Sequence, residues 1–257
     1  MTAVQPVSKT SHAAMRWTPY RDMSFATGDV FAPLVLAEVR RVALHLPIAF
    51  LQHESDVRPV VLQGLKAGQN LCLTPKGKWA LPYIPSIYRG YPFSLPEAPD
   101  GRRILCFDHD SGLISETEGE AFFDDSGEPA PRLAEILRFL TVVAENREPT
   151  RLAANLLAQH SLLVPWRIDY QEQGQARAVE GVQQVDEAAF RELDAAALLE
   201  LHEAGALNLI FCHLLSMPNV RKLQRLNELH AAAFDPEKDS IDELLGLPNE
   251  EVIEFGF

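Results

Sequence analysis

The sequence predicts an α+β protein: a small mixed sheet with an N-terminal helix, followed by a mainly helical C-terminal part that carries a strand pair. Three observations predict it. Short, non-alternating apolar runs such as Ile48 to Leu51 and Val60-Val61-Leu62 recur up to about Asp108, the length and composition of strands rather than helices. From Pro131 the apolar period changes, with Leu133, Ile136, Leu137 and Leu140 three and four residues apart, which is helical spacing. Further on, Val164 to Tyr170 and Ala176 to Val185 flank the polar turn QEQGQ, the pattern of a hairpin.

The elements follow in order. Residues 1–15 are small and polar and read as a flexible leader. A mixed α/β part runs over 16–130. Its helix has Leu36, Val39, Val42 and Ala43 on one face, with Glu38, Arg40 and Arg41 on the other, and Pro47 ends it. Strands follow at Ile48 to Leu51, Arg58 to Leu62 and Arg103 to Asp108, punctuated by turns at Gly64 and Gly68, at Thr74 to Lys78 and at Asp100-Gly101. Phe122 to Pro129 closes this part with a hairpin-like turn.

A mainly helical part spans 131–234. One helix runs from Pro131 to about Glu148, and a second from about Thr150 to Leu162 with Thr150 as its cap. Asp186 and Asp194 cap two short helices, and Ala206 to Met217 is nearly all apolar and reads as buried. Pro218-Asn219 breaks the chain before a last helix with Arg221, Lys222 and Arg225 on its polar side. The tail, 235–257, sets eight acids against Lys238 alone, with Ile241, Leu244, Leu245 and Leu247 among them. It reads as a poorly ordered tail or as a docking segment for a basic, apolar groove.

The stretch from Asn70 to Phe93 is the most individual. It holds Trp79, three tyrosines, Phe93 and four prolines around the lone arginine Arg89. Closely spaced prolines forbid a continuous helix and aromatics supply buried area, so a rigid, mostly extended corner is expected, covering the seam between the two parts. Arg89 lies between Tyr88 and Tyr91, where a guanidinium can stack on rings and grip a carboxylate bidentately. The candidate ligand-binding residues are Arg89, Trp79, Tyr83, Tyr88, Tyr91 and Asn70. The competing reading makes Arg89 structural, satisfying backbone carbonyls or a buried acid beneath the corner.

Composition excludes several classes. With 23 basic against 36 acidic residues and a net charge of −13, the chain is no nucleic-acid binder and is disfavoured at an anionic membrane surface. No apolar run approaches the ~18 residues of a membrane span, and the N-terminus lacks a signal-peptide core. A cytoplasmic location is expected. Cys72, Cys106 and Cys212 lie far apart in apolar runs, as reduced, buried thiols do.

Catalytic signals are sparse. No GxGxxG, P-loop, GxSxG or CxxC is present. His202-Glu203 starts like a zinc-protease helix, but Ala206 stands where the second ligand belongs. His213, alone in an apolar run, reads as a hydrogen-bonded core residue, and Asp124 to Glu128 as a tight acidic turn. Asp108-His109-Asp110 at a strand end offers oxygen and nitrogen ligands and supports an alternative, a metal-assisted enzyme. No cofactor and no resident metal are expected.

Four segments in succession carry a family resemblance: FAPLVLAEVRRVALHLPIAF, LQGLKAGQNLCLTPKGKWALPYIPSIYRGYPF, EGEAFFDDSGEP and QVDEAAFRELDAAALLELHEAGALNLIFCHLLSMPNVRKL. In order and spacing the chain resembles the bacterial SapC family over roughly Phe25 to Leu229. This family is distinct from the membrane-spanning transport permease of the same name. The resemblance implies a soluble protein with no catalytic residues to carry over, a family name drawn from surface-layer formation, and a link by gene neighbourhood to TonB-dependent receptors and flavin-dependent halogenase-like proteins. Together with the residues, it leads to the expectation of a cytoplasmic binding or accessory protein that takes a peptide or protein partner through its aromatic and arginine surface. A metal-assisted enzyme and a surface-layer or envelope component are the alternatives.

Overall fold

The computed structural model describes residues 4–172 and 174–231; the acidic tail expected at 235–257 lies outside the described residues. The chain forms β1 (Val4–Pro6), α1 (Lys9–His12), β2 (Arg16–Trp17), β3 (Phe31–Pro33), α2 (Val39–Ala43), β4 (Ile48–His53), β5 (Asp56–Leu62), α3 (Ser86–Arg89), β6 (Phe93–Ser94) and β7 (Cys106–Asp108). It continues through β8 (Ile114–Ser115), β9 (Glu120–Ala121), α4 (Pro131–Glu145), α5 (Arg147–Gln159), β10 (Leu163–Pro165), β11 (Ile168–Glu172), β12 (Gln175–Val179) and β13 (Val182–Val185). It closes with α6 (Glu187–Arg191), α7 (Ala195–Glu203), α8 (Ala206–Ser216) and α9 (Val220–Ala231). The α+β class is as the sequence predicts.

The principal sheet has the order β10-β13-β4-β5-β3, with every neighbouring pair antiparallel. Its strands come from both sides of residue 131. Ile48, Ala49 and Phe50 in β4, and Val60, Val61 and Leu62 in β5, are all buried, so the sheet is covered on both faces, which explains why these strands do not alternate in sequence. Helix α5 packs on β5, and α8 on β4 and β13. Two three-stranded sheets, β1-β7-β6 and β8-β2-β9, and the hairpin β11-β12 complete the strands among the described residues.

Two apolar cores result among the described residues. The larger gathers the principal sheet with Leu71, Leu81 and Tyr88 and with residues of α5, α8 and α9. The smaller gathers Trp17, Phe93, Phe107, Phe122, Leu133 and Leu140. The Asn70 to Phe93 stretch passes from one to the other, with Tyr88 in the first and Phe93 in the second.

Several expectations are corrected. The residues read as a loose leader are folded from Val4 on: β1 pairs with β7 in the register Gln5↔Phe107, and His12 is 1% exposed. The corner is not mostly extended; it contains a Leu73↔Trp79 bridge, the single turn α3 and a cis Tyr91–Pro92 peptide, with strand only at Phe93–Ser94. Glu38, expected on the polar face with Arg40 and Arg41, is 3% exposed, because the chain enters the helix through a 3-10 turn at Leu36–Glu38 that points it inward. Thr150 does not cap its helix, which begins at Arg147; it lies buried in the first turn, where its hydroxyl accepts from Leu36 N at 2.9 Å. Within α8, Ala206, Leu209, Ile210 and His213 are buried, but Phe211 and Leu215 face out at 51% and 75% exposure. Asp186 and Asp194 cap α6 and α7 as expected.

Candidate functional site

The residues singled out around Arg89 occupy three different environments. Asn70 and Tyr88 are buried. The Asn70 side chain donates to Ala26 O at 3.0 Å and accepts from Cys72 N at 3.0 Å, so it holds a turn. The Tyr88 hydroxyl lies 2.7 Å from Gln63 Oε1 and 3.0 Å from Asp29 Oδ2. Burial pushes the Tyr88 hydroxyl far up and, less strongly, the Asp29 carboxyl.

Trp79, Tyr83 and Tyr91 are half-buried. Trp79 Nε1 donates to Tyr83 O at 2.9 Å. Tyr91 stacks on Phe25 with centroids 3.7 Å apart. These rings are walls, each fixed by a partner of its own.

Arg89 is the exposed member. Its guanidinium lies 4.8 Å from the Phe139 ring centroid and 5.5 Å from that of Tyr83, and Nη2 donates to the Tyr83 hydroxyl at 3.1 Å. Beneath it is the buried acid of the structural reading. Glu38 Oε2 accepts from Tyr83 Oη at 2.9 Å and Ser86 N at 2.8 Å, Oε1 accepts from Ser86 Oγ at 2.6 Å and Val35 N at 3.4 Å, and Arg89 Nη2 stands 4.0 Å away. Burial, then the charge and acceptance of Glu38, push the Tyr83 hydroxyl up to about 12. Arg89 is thus anchored at one edge on its own protein while its side chain keeps 36% of its surface in solvent.

Sequence reading missed a groove on the same short helix. Ile87, two residues before Arg89 and 42% exposed, lines an apolar groove of about 340 Å³. Val57, Pro59 and Val143 form its walls, and Arg58, Arg147 and Arg151 stand around it. Arg147 donates to Leu95 O at 3.1 Å, and Arg151 pairs with Glu148 and Asp56. The groove was not legible because the elements that build it, β3, β5, α3, α4 and α5, come from distant parts of the sequence.

The Asp108-His109-Asp110 turn does not gather as a ligand set. Asp108 is buried and holds the turn: Oδ1 accepts from Asp110 N at 3.1 Å and Oδ2 from the Tyr91 hydroxyl at 3.4 Å. His109 instead meets His12, Nε2 to Nε2 at 3.2 Å. Burial pushes the His12 imidazole down. His213 is the hydrogen-bonded core residue it reads as in the sequence: Nδ1 donates to Ile48 O at 2.8 Å and Nε2 accepts from Val185 N at 3.2 Å. Asp124 accepts from Ser126 N and Glu128 N within its turn. All three cysteines are buried and unpaired, and burial pushes the Cys72 thiol far up.

Fold and surface together define a mixed α+β protein in which a guanidinium is perched on aromatic rings, two residues along α3 from an isoleucine that lines an apolar groove. The chain belongs to the SapC family: the model of that family, described as SapC, matches residues 7–223. No curated protein and no solved structure matches the chain. Among the described residues no single helix is long and apolar enough to cross a membrane.

Proposed function

We propose that the protein is a non-catalytic binding or accessory protein that docks a segment of a protein partner carrying apolar side chains next to a carboxylate. The observation that carries this reading is Arg89, held on Phe139 and Tyr83 yet exposed, two residues along α3 from Ile87, which lines the apolar groove. An apolar side chain of the partner enters the groove, and its acid meets the guanidinium. Because two rings and the Tyr83 hydroxyl already order Arg89, little rotamer freedom remains to be lost on binding. Three buried thiols without disulfides suit the reducing cytoplasm, where we place this activity.

The test is fluorescence anisotropy of the full chain with peptides that interleave acidic and apolar residues, against scrambled basic counterparts. Arg89→Ala is expected to weaken the acidic peptides by about tenfold or more, the worth of one charge-assisted hydrogen bond. Ile87→Asp is expected to abolish binding. Affinity that is the same in wild type and both variants overturns the reading.

A further inference from the structure

We propose that His12 and His109 form a two-histidine site for a divalent transition-metal ion of the zinc class. The antiparallel pairing of β1 with β7, with Val4 opposite Asp108, returns α1 over the turn that follows β7. It thereby joins two imidazoles 97 residues apart in sequence. Their Nε2 atoms are 3.2 Å apart. Two nitrogens bound to one tetrahedral zinc at about 2.0–2.1 Å stand roughly 3.3 Å from each other.

The surroundings fit that use. His12 Nδ1 lies 3.3 Å from Ser8 O, and a ring N–H given to a carbonyl is what turns the opposite nitrogen into a metal-facing lone pair. Phe122 packs against the His12 ring at a centroid distance of 4.9 Å and Phe107 against His109 at 5.6 Å, fixing both planes. Two lone pairs at this separation repel unless a proton or a cation lies between them. The competing arrangement is a bare N–H···N bond between the two Nε2 atoms; when His12 is its donor, His12 Nδ1 accepts from Ser8 N, 3.2 Å away.

Among the described residues no group of three or more His, Cys, Asp or Glu side chains completes a ligand set. The site therefore supplies two nitrogens and leaves two tetrahedral positions for water or an external carboxylate or thiolate, as sites with open positions do. His109 is half-buried on its turn and gives the ion its way in.

The experiment is calorimetric titration of the metal-stripped full chain with Zn²⁺, with Co²⁺ absorption as a second readout. One equivalent is expected, and both His109→Ala and His12→Gln are expected to weaken it about 100-fold or more, at least the loss that follows removal of an outer-sphere partner. His160→Ala, at the surface pair His160–Glu200, is expected to change nothing. His109→Ala keeps the test independent of folding, because its ring is not core. The absence of a stoichiometric ion in wild type, binding that survives His109→Ala, or binding lost with His160→Ala overturns the proposal.

Discussion

Glu38 shows how a single carboxylate fixes a surface arginine without neutralising it. Four donors from Val35, Tyr83 and Ser86 satisfy its two oxygens, so the Arg89 charge, 4.0 Å off, is not needed to keep the acid buried. Arg89→Ala is therefore expected to change unfolding free energy by less than about 1 kcal/mol, as for a surface ion pair. Glu38→Gln places an amide NH₂ against donors and is expected to cost about 2–3 kcal/mol, read by urea denaturation. The same change removes the charge and acceptor that help hold the Tyr83 hydroxyl near 12, so spectrophotometric titration should find that tyrosine ionising at lower pH. Arg89 stood out in the sequence by its tyrosine neighbours. Glu38 did not, because the helical spacing that assigns it to a polar face does not register the 3-10 turn that turns it inward.

At the scale of elements, the Arg89 perch depends on how closely α3 approaches α4. A Cβ on Gly90 would come 2.6 Å from Leu140 Cδ2, a buried side chain of the smaller core. Gly90→Ala should lift α3 from α4, cost about 1–3 kcal/mol by overpacking, and weaken peptide binding along with stability. The second joint is His213, through which α8 ties Ile48 of β4 to Val185 of β13. His213→Phe fills the space but leaves a buried carbonyl and a buried amide unpaired, and a loss of about 2–5 kcal/mol in thermal or urea unfolding at pH 7 is expected.

For the molecule as a whole, the same histidine sets an acid limit. Burial pushes His213 down to about 4, so between that value and the ordinary imidazole value near 6.5 the native state binds fewer protons at this group than the unfolded chain does. Stability is intact above that value and declines as pH falls from about 6.5 to about 4, by about 3 kcal/mol for this group. Wild type measured across that window should lose stability progressively, and His213→Phe, weaker at pH 7, should show a flatter profile; equal slopes would refute the assignment. Carboxylates held low by partners, such as Asp56 beside Asn155 and Arg151, add their loss only at more acid pH.

The class of fold was legible because the periods of strand and helix differ and the change near Pro131 is abrupt. The caps at Asp186 and Asp194 were legible because capping is local. Pairings that join distant segments were not: β1 with β7, β13 with β4, and His12 with His109. Nothing in a polar stretch of fifteen residues announces that its histidine will be buried against another.

The pairing of β13 with β4 also bears on how the chain is made. β4 is complete once residue 53 has left the ribosome, yet the strand that covers its free edge, Val182–Val185, follows about 130 residues later. At 5–20 residues per second that is roughly 6–26 s during which an apolar strand edge waits without its neighbour. A fragment ending before residue 163 keeps that edge permanently and is expected to partition into the insoluble fraction, whereas one ending after α9 should not. For the nascent protein, the interval between synthesis of those two strands is a period of exposure to chaperones and to self-association.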